Sequence, residues 1–87
     1  MQQVFVSYAR DDGEWKSLVQ GAVRRAGLRP WTDDRLVPGT RQWSGEIEQA
    51  IQRSVALVVV LTPAAKGSEW VSNEVAYAQQ HRVPVIP

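Results

Sequence analysis

The amino-acid sequence predicts an α/β domain in which an open parallel sheet carries helices on both faces. Three observations lead there. Strand-like and helix-like stretches alternate along the whole chain with short links between them, the pattern of consecutive βα units. One stretch, Val55-Ala56-Leu57-Val58-Val59-Val60-Leu61, is apolar without alternation, which suits a central parallel strand covered on both faces. The length, 87 residues, allows one small domain, residues 1–87, and no more.

Gln3 to Tyr8 is a short β-branched and aromatic run, the expected first strand. Ala9-Arg10-Asp11-Asp12-Gly13 breaks it. Asp11 followed by Glu14 resembles a capping box, and Trp15, Leu18, Val19, Ala22, Val23 and Ala26 then keep helical spacing, with Gly27 in place to end the helix. Trp15, like Trp43 further on, reads as a packing residue. Leu28 to Thr32 is a second strand, placed at a sheet edge because Pro30 lacks a ladder donor. Asp33 to Gly39 is a charged loop ending in Pro-Gly. Thr40 or Ser44 starts the next helix, whose inward face is Trp43, Ile47, Ala50 and Ile51. After the apolar third strand, Thr62-Pro63 and a loop through Gly67 lead to a helix from Ser68 to about His81. Ser68 is its N-cap, and Val71, Val75 and Ala78 form its buried stripe. Val83 to Ile86 is a fourth strand. Right-handed crossovers leave few topologies, and strand order 2-1-3-4, a flavodoxin-like sheet, satisfies both an apolar strand in the middle and the Pro30 strand at an edge.

Composition excludes several functions. There is no cysteine and one histidine, His81, so neither a disulfide framework nor a thiolate or multi-histidine metal site is expected. A net charge of +1 is too balanced to imply nucleic acid or an anionic membrane as partner. No apolar run approaches the ~20 residues of a membrane span, and no signal peptide is visible, so a cytoplasmic location is expected. The phosphate-binding glycine motifs and the G-x-S-x-G elbow are absent. Thr62-Pro63 stands where a phosphoacceptor domain would need an aspartate.

In sheets of this order, ligands bind beyond the carboxyl ends of the strands, between the first and third. The loops there are Tyr8 to Gly13 and Thr62 to Ser68, with Asp33 to Gly39 on the same edge and the first turns of the Ser68 helix beside them. Trp70 and Glu74 lie four apart on that helix and are surface neighbours. Glu74 stands beside the buried stripe with an indole on its flank, and partial desolvation raises a carboxyl pKa. Asp33 could contact substrate, cap a helix or meet a neighbouring domain. Val37-Pro38, an apolar loop tip, favours protein contact. Tyr77 and His81 share the Trp70–Glu74 side and read as structural.

These residues resemble the Toll/interleukin-1 receptor (TIR) domain family. Val4-Phe5-Val6-Ser7-Tyr8-Ala9-Arg10-Asp11 is similar to its first box, and Asp33-Asp34-Arg35-Leu36-Val37-Pro38-Gly39 to its second. The run from Trp43 to Ser54, followed by Val58 to Pro63, fits the next elements. Ser68-x-Trp70-x-x-x-Glu74 resembles the segment bearing the catalytic glutamate of TIR domains that cleave NAD+. The resemblance covers essentially the whole chain but lacks the family's last strand and helix, so the chain reads as C-terminally truncated and marginal on its own. It implies two activities. One is NAD+ hydrolysis, with NAD+ as substrate and no cofactor: Glu74 catalytic, Trp70 at the nicotinamide, Arg10 at a phosphate, and Tyr8 and Asp33 lining the substrate site. The alternative is a non-enzymatic module that self-associates with other TIR domains through Asp34, Arg35, Leu36, Val37, Pro38 and Gly39.

Overall fold

A computed structural model describes residues 2–33 and 45–87. Four strands, β1 (Gln3–Ser7), β2 (Arg29–Trp31), β3 (Ser54–Val59) and β4 (Val85–Ile86), form one parallel sheet in the order β2-β1-β3-β4. This is the predicted order, with the Pro30 strand at an edge. The helices are α1 (Gly13–Arg25), α2 (Gly45–Gln52), a single turn α3 (Pro63–Lys66) and α4 (Glu69–Gln80). Phe5 of β1 stands level with Trp31 of β2 and Leu57 of β3, and Ser7 with Val59.

Alternation along β1 divides the core. Phe5 faces the larger cluster with Leu57 and Val59 of β3, Ile47, Ala50 and Ile51 of α2, and Val71 and Ala78 of α4. Val6 turns the other way and packs with Tyr8, Val60 and Val19 of α1. A buried glutamine ties the amino ends of the strands together. Gln3 donates to the Ala50 carbonyl at 2.9 Å and to Ser54 Oγ at 3.1 Å, and accepts from Arg29 Nη2 at 3.1 Å. Those bonds offset the cost of placing an amide at the sheet edge of the core.

The structure corrects four local expectations. In α1 only Val23 is buried, while Trp15 and Leu18 are 57% and 62% exposed. The line facing the sheet is Lys16, Val19, Gln20 and Val23, about a third of a turn round from the Trp15–Leu18–Ala22 line. Lys16 Nζ lies over the Tyr8 ring, 5.3 Å from its centre, and Gln20 Nε2 donates to Thr32 Oγ1. Polar groups with specific partners therefore take places that apolar spacing assigned to Trp15 and Leu18. Secondly, α1 starts after a 3-10 turn (Arg10–Asp12) and has no capping box, since Asp12 at the N-cap accepts instead from Thr62 Oγ1. Thirdly, β3 ends at Val59. Its register against β1 skips Val55 between Gln3 and Val4, and Leu61 lies past the strand end, so both are exposed. Fourthly, Thr62-Pro63 opens a helical turn where a loop is expected. Thr62 Oγ1 accepts from the Ala65 amide at 3.1 Å, with Pro63 in the first turn.

Helix ends follow their sequence signals. Gly27 has φ +82°, and the Leu28 and Gly27 amides donate to the Val23 and Arg24 carbonyls, a Schellman ending. The end of α4 repeats those bonds from Val83 and Arg82 to Ala78 and Gln79, but with Arg82, φ 59°, in the glycine position. Ser68 caps α4 as predicted, accepting from the Val71 amide at 3.2 Å. The second-box residues Asp34 to Gly39, along with Thr40, Trp43 and Ser44, lie outside the described residues.

Candidate functional site

The carboxyl ends of β1 and β2 and the first two turns of α4 converge on one buried polar cluster. Glu74 is its centre. The expected stripe of Val71, Val75 and Ala78 is in fact Val71, Glu74 and Ala78, with Val75 only half-buried. Glu74 thus lies within the buried line, at 0% exposure, and not at its boundary. A small rotation of α4 explains the exchange. Spacings of three and of four both fit one helix face, so apolar content alone does not choose between positions 74 and 75.

A buried carboxylate needs partners, and each oxygen of Glu74 has one. Ser7 Oγ, at the last residue of β1, donates to Oε1 at 2.7 Å. Trp70 Nε1, one turn earlier on α4, donates to Oε2 at 3.0 Å. The same indole N–H is shared with Oδ2 of Asp33, which is also buried, two residues beyond the end of β2. One donor therefore serves two carboxylates from different elements. Among the described residues, every buried side-chain nitrogen and oxygen has a hydrogen-bond partner.

The loops beside this cluster are pinned to each other. Thr62 Oγ1, at the end of the β3 segment, donates to Asp12 Oδ2 in the turn after β1 while accepting from Ala65. This bridge spans the point between β1 and β3 where the winding of the sheet reverses, the usual ligand position in such folds.

Of the residues singled out from the sequence, Glu74, Trp70 and Asp33 come together. Arg10 is exposed on the turn after β1, at the same end of the sheet. Tyr8 is not brought to Glu74. It packs with Val6 and Val60 on the α1 face, beneath Lys16. The reason is the two-residue period of an extended chain: Ser7 turns toward α4, so Tyr8 turns away. Ser7 itself escaped sequence reading. The available signal was its place two residues after Phe5 on the same strand face, a hydroxyl at a position otherwise suited to a core side chain. Among the described residues, no three His, Cys, Asp or Glu side chains group as metal ligands would, and no helix is long and apolar enough to cross a membrane.

Comparison with known proteins agrees with this architecture. No curated protein matches the chain. Among solved structures, the TIR domain of the Toll-related receptor TRR-2 from Hydra magnipapillata is similar over 97% of this chain, with 26% identity and a TM-score of 0.76. The TIR domains of the activated Roq1 resistosome, which directly recognises the pathogen effector XopQ, are similar in fold over 100% of this chain, with 22% identity and a TM-score of 0.75. The chain spans 66% of the first structure and 56% of the second. The model of the TIR domain family matches residues 4–87, nearly the whole sequence. With family match, strand order and fold in agreement, this chain belongs to the TIR domain family.

Proposed function

We propose that this TIR domain, a signalling and defence module, hydrolyses NAD+ at the nicotinamide–ribose bond, with Glu74 as the catalytic carboxylate. The supporting observation is the setting of Glu74: buried at the carboxyl end of the sheet, with each oxygen held by its own donor, Ser7 or Trp70. In the reaction the bond from ribose C1′ to the nicotinamide nitrogen breaks, and its electron pair leaves with nicotinamide. The leaving group starts cationic and departs neutral, so no general acid is required. Positive charge develops on the sugar, as in glycoside cleavage. A fixed carboxylate beside it lowers the barrier and holds ribose hydroxyls. Water then bonds to C1′ and loses a proton, giving ADP-ribose. The chemistry calls for no cofactor. Trp70 would line the nicotinamide and Arg10 would meet a phosphate. Glu74 is closed off from solvent, so substrate reaches it only once its surroundings rearrange. That fits a cytoplasmic enzyme switched on by self-association or another trigger.

The same burial favours a second reading, a module that works by TIR–TIR association alone. In that case Glu74 is a structural carboxylate that anchors α4 to β1.

Glu74→Gln separates the two. Glutamine keeps the shape, and the Ser7 hydroxyl can rotate to accept from the new amide while Trp70 still donates to the carbonyl. In the full gene product carrying this domain, nicotinamide release followed by chromatography should fall on the order of 10²-fold or more, the scale of losing one group that stabilises transition-state charge. Glu69→Gln, in the exposed first turn of α4, is the matched control and should stay near wild type. An active wild type with undiminished Glu74→Gln turnover would move catalysis to other residues. No release from an assembled wild type would leave the association module as the function.

A further inference from the structure

We propose that Ser7 is a positioning residue for Glu74, its hydroxyl fixing one carboxylate oxygen and holding the group ionised for the reaction. This inference rests on the NAD+-hydrolase reading and extends it to a residue on the opposite end of the chain.

The geometry carries it. Ser7 and Glu74 are both at 0% exposure, and their 2.7 Å bond is short and direct, as a charge-assisted O–H···O bond should be. Among the described residues, much of what surrounds Glu74 is apolar. On this face β1 presents Phe5, β3 presents Leu57 and Val59, α2 presents Ile47 and Ile51, and α3 presents Ala65. Asp33, at the end of β2, is a second carboxylate reached through the shared indole N–H. On α4 itself, Glu69 and His81 are exposed, and Tyr77 accepts from Gln52 of α2. An apolar surround and a neighbouring carboxylate both disfavour a charged Glu74, and hydrogen bonds to its oxygens favour it. The Ser7 bond, unlike that of Trp70, is not shared with Asp33. It also comes from a central strand, paired on both sides. Ser7 is thus a donor to Glu74 held in place by the sheet.

The sign of the effect is fixed. A donor to the carboxylate lowers its pKa, so removing Ser7 Oγ raises it, and activity that needs ionised Glu74 is lost at a higher pH as acid is added. The test is the pH profile of kcat for nicotinamide release by the full gene product, in wild type, Ser7→Ala and Ser7→Thr, each checked for folding by urea denaturation. Ser7→Ala should move the acid limb up by about one pH unit, the scale of one hydrogen bond to a charged group. Ser7→Thr keeps the hydroxyl and should restore the wild-type limb. A purely structural role would lower activity in proportion to folded protein and leave the limb where it was. An unmoved limb in Ser7→Ala, or a limb displaced equally in both variants, overturns the inference while leaving the hydrolase reading intact. A wild type that releases no nicotinamide overturns the hydrolase reading and the role of Ser7 with it.

Discussion

Trp70 offers one N–H to two carboxylates, Asp33 and Glu74, and its value to the fold lies in that N–H as much as in its ring. Trp70→Phe keeps most of the apolar contact and removes the donor. It should cost about 1–3 kcal/mol in urea unfolding at neutral pH, the penalty of leaving buried polar groups short of a partner. The same substitution made on top of Asp33→Asn and Glu74→Gln should cost clearly less, because neutral amides suffer less from the missing donor. Equal costs in the two backgrounds would show that only the ring matters. At this scale the sequence was partly legible. Pairing of Trp70 with Glu74 follows from their spacing of four. That Asp33 joins them does not, because the bond spans 37 residues and no local rule reaches so far. Asp33 entered the sequence reading with several roles open, and the shared indole now gives it a structural one. The pairing of Ser7 with Glu74 lay out of reach for the same reason, at a separation of 67.

Among the elements, α1 and α4 show what periodicity can and cannot say. Both were found as helices with nearly correct ends, since caps and glycines act locally. Which line of a helix meets the sheet is decided by its neighbours, and in both helices the polar side chains with partners won places from apolar ones. The outward position of Leu18 is directly testable. Leu18→Lys should change stability by no more than about 0.5 kcal/mol, as surface changes do. Ile51→Ala, in the core on α2, should cost about 2–5 kcal/mol. A large loss for Leu18→Lys in thermal or urea unfolding would put that side chain back in an interface. The end of α4 gives a second test. Arg82 has φ 59° in a position that glycine takes in α1. Left-handed backbone costs an ordinary residue roughly 1–2 kcal/mol, and glycine returns roughly 0.5–1 of that as extra chain entropy. Arg82→Gly should therefore stabilise by about 0.5–1 kcal/mol and raise Tm by several degrees in a domain of this size. A lower Tm would mean that the arginine side chain makes contacts worth more than the strain.

At the level of the whole molecule, strand order was the most legible feature. With the right-handed crossover rule few arrangements remained, and the order chosen to put the Pro-bearing strand at an edge and the strongly apolar strand inside is the one the sheet has. Where the site would lie followed from that order. Its interior did not, because it depends on rotations of a fraction of a helical turn that topology leaves free. The separations within the site also bear on how the chain acquires its function over time. Synthesis proceeds at about 5–20 residues per second from the amino end. β1 leaves the ribosome first but has no central partner until β3 follows, and Ser7 waits for Glu74 longer still. Pairings between distant segments form late and slowly, since loop closure precedes any reward from the contact. A nascent chain from which Glu74 has not yet emerged therefore lacks the buried Ser7–Glu74 pair. The buried pair closes only after α4 has docked on β1, so copies that have not reached that stage are without it.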